Sequence, residues 1–140
     1  MLHKEYGRTG ISLGAIGCGG MRLPNPQNPE EGIAILHAAR RAGITYFDTA
    51  PYYCDDKSED IFGAALRTMP PSPLPLYVSS KCSEPKAADF RRGLERSLSR
   101  LGVSQIDFFH IWCVMDPADW QRRVAGGVAE AVVDLFKPVE

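Results

Sequence analysis

The stretch Tyr46–Gly63, YFDTAPYYCDDKSEDIFG, decides the fold. A short apolar run, starting at Ile44, ends on a carboxylate, Asp48, and two phenols follow at Tyr52 and Tyr53. A polar turn then leads into SEDIFGAALRTM. There Ile61, Phe62, Ala65 and Leu66 share one helical face, and Ser58 is placed to cap the helix. A buried strand, a polar junction and an amphipathic helix form the repeating unit of a parallel α/β sheet.

The unit recurs on both sides of this stretch. Upstream, YGRTGISLGAIGCGGMRLP holds six glycines among short apolar runs and reads as a hairpin followed by a strand near Ala15–Gly19. NPQNPEEGIAILHAARRAG follows as a helix: Asn28 caps it, Pro29 takes its first position, acids fill its first turn, Arg40 and Arg41 its last, and Gly43 ends it. Downstream of a stiff link with prolines at 70, 71, 73 and 75, LYVSSK reads as a strand. ADFRRGLERSLSRLG carries the strongest helical period, with Phe90, Leu94, Leu98 and Leu101 spaced by 4, 4 and 3 and Gly102 as the stop. IDFFHIWCV is a further strand, and RRVAGGVAEAVVDLF a further helix weakened by Gly126 and Gly127. Strand–helix order repeated four times predicts parallel strands with crossover helices, and strands that are apolar throughout predict cover on both faces.

Composition bounds the partners. A chain of 140 residues suits one domain, able to bury roughly two-thirds of its unfolded surface. A formal net charge of −1 gives no pull toward nucleic acid or acidic lipid, and no apolar run nears the ~20 residues of a membrane span. Arg92, Arg96 and Arg100 line a basic stripe on the third helix, but Glu95 and other acids intersperse it, so the stripe reads as a solvated face. MLHKEYGRTG lacks the apolar core of a signal peptide, so a cytoplasmic location is expected. The four cysteines are scattered without a CxxC pair; reduced thiols and no metal site are expected. GCGGMR, residues 17–22, has Arg22 where a dinucleotide fingerprint needs its third glycine, and prolines follow instead of a helix.

In parallel α/β folds, ligands bind at the carboxyl ends of the strands. The polar residues gather at those ends: Asp48 and Thr49, with Tyr53 just beyond; then Ser79, Ser80 and Lys81; then His110. Taken singly, each has an ordinary reading. Asp48 caps a turn, Tyr53 is a rim aromatic, Lys81 is solvated and His110 fills the core. Together they suit one reaction. An ammonium beside a phenol stabilises the phenolate, and a carboxylate keeps the ammonium charged. Tyr53 then acts as a general acid toward an oxygen on which negative charge develops. Carbonyl reduction needs such a donor, with the hydride supplied by a cofactor.

With these residues in place, the chain resembles the aldo/keto reductases along nearly its whole length. YGRTGISLGAIGCGGMRLP is similar to the family's opening hairpin and first barrel strand, GITYFDTAPYY with SEDIFGAALR to its signature, VSSK to its lysine strand, and LERSLSRLGVSQIDFFHIW to the helix and strand that carry its histidine. The resemblance implies a parallel (β/α)8 barrel of TIM type, of which residues 1–140 supply about four β/α units: an opening hairpin and first strand over 1–20, the following units over 28–140. It also implies reduction of aldehydes or ketones with NADPH. Residue by residue, it assigns Asp48 and Lys81 as the supporting ion pair, Tyr53 as proton donor, and Gly20, Met21 and Asp48 as cofactor-facing positions.

Three departures qualify it. The family's usual histidine falls at Trp112, two residues beyond His110 and on the same strand face, about two steps of 3.3 Å away. His110 either reaches the substrate oxygen from deeper in the barrel or fills the core. Cys54 stands where the family often has glycine. Finally, a barrel of this type takes roughly 250 residues, and most cofactor-phosphate contacts and substrate loops of the family lie in its other half. Two readings follow: an oxidoreductase represented by its N-terminal half, or an inactive half barrel acting as a fragment or binding module. An open half barrel exposes two strand edges and invites self-association. The branch most resembled has longer members with a cysteine-rich, iron–sulfur-binding tail, which has no counterpart in this sequence.

Overall fold

The computed structural model describes residues 2–128. β1 (His3–Glu5) and β2 (Ser12–Gly14) form an antiparallel hairpin. β3 (Cys18–Gly19), β4 (Tyr46–Asp48), β5 (Tyr77–Cys82) and β6 (Phe108–Ile111) form a parallel sheet in sequential order, with Gly19 opposite Asp48, Asp48 opposite Ser79, and Lys81 opposite His110. Three long helices cross over between them: α1 (Glu30–Arg41), α3 (Ser58–Arg67) and α4 (Ala87–Leu101). The four-residue α2 (Tyr53–Asp56) leads into α3, and α5 (Pro117–Trp120) continues into a π-helical stretch, Gln121–Val128. The expected helix at the C-terminal end therefore begins earlier, at Pro117, capped by Asp116, which accepts from the Asp119 amide at 2.7 Å. Its remainder beyond residue 128, and the segment FKPVE, lie outside the described residues.

Strand alternation sorts the side chains onto two faces. Phe47 and Val78 meet Leu36 of α1, Ile61, Phe62 and Ala65 of α3, and Leu94 and Leu101 of α4 in one buried cluster. Burying each large apolar side chain of this kind contributes about 1.5–3 kcal/mol. Ser80 also points this way and finds its partner in buried Glu59, donating to Oε1 at 2.7 Å. The opposite face begins aromatic and ends polar. Phe108 lies 5.6 Å from Tyr46 and 6.1 Å from Tyr77, and Tyr6 from the hairpin packs on it at 4.8 Å. Asp48, Ser79, Lys81 and His110 follow along the same strands. The polar residues of the site therefore stand on an aromatic floor.

The long helices end as the sequence suggests but begin differently. Gly102 takes φ +66°, and its amide bonds to the Leu98 carbonyl at 2.9 Å, a left-handed stop that glycine adopts without strain. Pro29, not Asn28, is the N-cap of α1, and no side chain caps it; the Asn28 amide instead closes a turn onto the Asn25 carbonyl. Ser58 does not cap α3 either: its hydroxyl is drawn inward to the Gly20 carbonyl at 3.0 Å and Thr49 Oγ1 at 2.7 Å. Arg40 is buried rather than paired with a helix dipole alone, donating to the Leu74 and Pro75 carbonyls at 2.6 and 2.8 Å and tying the proline link to α1.

Candidate active site

Asp48 is the last residue of β4 and Lys81 the penultimate residue of β5, one strand apart. Lys81 Nζ donates to Asp48 Oδ2 at 2.7 Å, with the side chains 10% and 29% exposed. The other carboxylate oxygen, Oδ1, accepts a hydrogen bond from the Ser79 hydroxyl, directly across the strand pair. Both oxygens are thus held, and the carboxylate cannot turn away from the lysine. Lys81 Nζ also lies 3.4 Å from the Tyr53 hydroxyl and 5.0 Å from the centre of its ring. Asp48, Lys81 and Tyr53 are therefore brought together.

Tyr53 reaches this point on an unusual piece of backbone. Tyr52, Cys54, Asp55 and Asp56 have φ of 69°, 54°, 53° and 61°. A left-handed conformation costs a non-glycine residue roughly 1–2 kcal/mol, so this turn must be held by its surroundings. The Cys54 thiol donates to the Gly20 carbonyl at 3.2 Å, the Tyr52 amide to Asp56 Oδ1 at 3.2 Å, and the Lys57 amide to the Tyr53 carbonyl at 3.1 Å. Cys54 therefore takes a left-handed φ of the kind glycine favours and anchors it through sulfur.

The remaining predicted residues sit close by with different surroundings. Trp112 meets the Tyr53 ring edge-on, with centroids 5.8 Å apart and planes at 84°. His110, opposite Lys81, turns to the floor instead, with Nε2 3.4 Å from the Tyr46 hydroxyl. Burial lowers its pKa from the ordinary value of 6.5; Lys81 lowers it further and Asp48 opposes both. A folded state that favours the neutral ring carries stability that is present above the unfolded value and is lost as pH falls through the lower folded one. Histidine-selective NMR should show His110 titrating below 6.5. Stability should decline with acidification in that range, and His110→Gln should flatten the decline.

Gly20 is small for packing: a Cβ there would lie 2.4 Å from Ser58 Oγ and 2.5 Å from Phe62 Cε2. Met21 beside it is exposed at the rim. A hollow of about 330 Å³ opens between Met21, Leu23, Tyr53 and Cys54. On the other side, a cavity of about 430 Å³ is bordered by Pro51, Lys81, Glu84, Arg96 and Trp112, and Tyr52 lines both spaces. Among the described residues, no group of three metal-ligating side chains gathers, and no helix is long and apolar enough to cross a membrane.

Sequence reading missed two contributors. Ser79 was visible as a polar strand end, but its bond to Asp48 depends on strand register. Arg100 reads in sequence as part of a solvated stripe; its side chain is only 14% exposed and is bonded to Asp56 and Asp60. The signal that separates it from Arg92 and Arg96 is its place one residue before the helix's buried last residue, Leu101.

Known proteins share this arrangement of elements. Among curated relatives, L-galactose dehydrogenase of Arabidopsis thaliana is 32% identical over 116 residues, covering 76% of this chain and 36% of that protein. The 6-dehydroglucose reductase of Novosphingobium aromaticivorans is 30% identical, covering 77% and 40%. A solved putative aldo-keto reductase from Pseudomonas aeruginosa superimposes with a TM-score of 0.74 at 28% identity, over 96% of this chain and 55% of that one. The chain thus spans well under half the length of these curated relatives; its solved neighbours are (β/α)8 barrels, and its own parallel sheet has four strands among the described residues. The model of the aldo/keto reductase family matches residues 15–135, and the chain belongs to that family.

Proposed function

We propose that this chain supplies the proton-donating half of an oxidoreductase barrel that reduces aldehydes or ketones with NADPH. The observation that carries the reading is the placement of Lys81 Nζ, 2.7 Å from Asp48 and 3.4 Å from the Tyr53 hydroxyl. Names of two relatives, a dehydrogenase and a reductase of sugar-type compounds, agree with carbonyl–alcohol chemistry.

The residues present fit the reactive end of such a cofactor. The hollow beside Tyr53 is bordered by Met21, its backbone is set by Gly20, and Asp48 closes the strand next to it. When bound, NADPH supplies the hydride to the carbonyl carbon. Tyr53 donates its phenolic proton to the carbonyl oxygen as the electron pair of the C=O bond moves there. The phenolate left behind lies beside the Lys81 ammonium, which is positioned before the reaction and needs no reorganisation. Asp48, fixed through both oxygens, holds that ammonium in place. His110 stands next to the ion pair with its Nε2 against the Tyr46 hydroxyl, and burial favours its neutral form. Trp112, edge-on to the Tyr53 ring, limits the angles the phenol can take and shields one side of it from water.

Lys81→Met tests the reading in a polypeptide carrying this chain with the remaining β/α units. Loss of a preorganised charge next to the developing phenolate should lower kcat about 100-fold. NADPH oxidation with an aldehyde substrate measures it, and an unchanged kcat refutes the assigned role of the lysine.

A further inference from the structure

We propose that Arg100 is the positioning residue for Tyr53: through Asp56, it holds the left-handed turn that presents the phenol to Lys81. The proposal rests on Tyr53 as the proton donor for its consequence, but the placement of the ring is a separate, observable matter.

Arg100 lies on α4, across from the turn. Its Nη1 donates to Asp56 Oδ1 at 2.6 Å, and its Nη2 to the Asp56 backbone carbonyl. Nε and Nη2 reach the two oxygens of Asp60 at 3.1 and 2.9 Å, and buried Glu59 Oε2 stands 3.5 Å from Nη1. One guanidinium therefore grips the last residue of the turn by side chain and main chain, and braces against the first turn of α3. The planar fork of arginine is what allows both grips at once.

Asp56 passes this grip to Tyr53. Its Oδ1, held by Arg100, also accepts from the Tyr52 amide at 3.2 Å, while the Lys57 amide donates to the Tyr53 carbonyl. The Pro51–Tyr52 and Tyr53–Cys54 peptide links, which bracket the Tyr52–Tyr53 pair, are thereby pinned, and one pin ends on Arg100. The backbone at 52 and 54–56 is left-handed throughout, so without an external hold it relaxes toward ordinary φ values. That relaxation swings Tyr53 away from Lys81. Arg100 itself stands on firm ground, because α3 approaches α4 so closely at Gly63 that the Arg100 carbonyl abuts it. Chiefly through its bond from Arg100, Asp56 has its pKa lowered. The grip therefore stays charged throughout the neutral pH range.

The contact between Tyr53 and Trp112 reports the placement directly. In the 140-residue chain, NMR of labelled aromatic rings should show a cross-peak between them. Arg100→Gln should abolish it while preserving the Phe90–Phe109 contact, which monitors the fold. Asp56→Ala should do the same. Asp60→Ala, which leaves the grip on the turn intact, should retain both. A persistent Tyr53–Trp112 cross-peak in Arg100→Gln overturns the proposal, as does its loss in Asp60→Ala. If Arg100→Gln loses the Phe90–Phe109 contact as well, Asp56→Ala decides. Where turnover is measurable, Arg100→Gln should lower kcat roughly 10- to 100-fold with KM for NADPH little changed. A displaced ring with unchanged turnover would refute Tyr53 as the acid rather than Arg100 as its anchor.

Discussion

Tyr53→Phe should abolish carbonyl reduction while leaving the fold intact. The substitution removes one oxygen and nothing else. The Phe ring keeps the edge contact with Trp112 at 5.8 Å and the position beneath Lys81 at 5.0 Å. Lys81 keeps its bond to Asp48 at 2.7 Å, so no buried charge is orphaned. The lost contact to the hydroxyl is long, at 3.4 Å, and its contribution to stability is small. Catalysis has no such reserve. A positioned general acid typically contributes 10²–10⁴-fold, and with no second phenol bonded to Lys81 the loss should reach about 1,000-fold or more. The assay is NADPH oxidation by a polypeptide that joins this chain to the remaining barrel units, with circular dichroism and cofactor binding as controls. Turnover within tenfold of the parent would mean that another group delivers the proton.

Gly63→Ala should be the most damaging small change to stability. Gly63 lies within α3 where that helix meets the C-terminal turn of α4. A Cβ at this position would stand 2.3 Å from the Arg100 carbonyl oxygen and 3.1 Å from that of Leu101. Both obstacles are main chain, so no side-chain rotation relieves them. The helices must part, and the fully buried Ala65 and Leu101 lose contact as they do. Overpacking of this kind costs about 1–3 kcal/mol. Alanine's higher helix propensity returns up to about 1 kcal/mol, partly through the unfolded chain. With a rigid obstacle the balance should still be near 2 kcal/mol, lowering Tm by roughly 5–8 °C for a chain of this size. Gly19→Ala is the control: a Cβ there meets nothing within 4 Å, so stability should hold within about 0.5 kcal/mol. An unaltered Tm in Gly63→Ala would show that the helices are not in such close contact. Separation at Gly63 also pulls Arg100 from Asp56, so the variant should weaken the Tyr53–Trp112 contact as well.

Much of the architecture was legible because its signals are local. The period of Phe90, Leu94 and Leu101 marks the buried face of α4 whatever lies across from it, since a helix repeats every 3.6 residues. Apolar runs broken by glycine and proline place the strands, and strand–helix alternation leaves a parallel sheet as the economical way to bury them. The resemblance of residues 44–67 and of VSSK to a family signature carried Asp48, Tyr53 and Lys81 to neighbouring strand ends, where the geometry brings them together.

What escaped the sequence depends on partners distant along it. Ser58 has the composition of a helix cap, yet Thr49 and Gly20 claim its hydroxyl because β3, β4 and α3 converge there. Arg100 has the composition of a surface cation, yet Asp56 and Asp60 lie 44 and 40 residues away in sequence and directly opposite in space. Periodicity and punctuation report which face of an element is buried and where it ends, because those follow from the chain's own geometry. They are silent on which atom answers which across the core. By itself, then, the sequence determined the alternating α/β order, the polar rim at the strand ends and the candidates Tyr53, Lys81 and Asp48 on it. Only the tertiary structure decided that Tyr53 rides a left-handed turn gripped by an arginine from another helix, because hydrogen bonds and close packing between distant segments exist only once the backbone has brought them together.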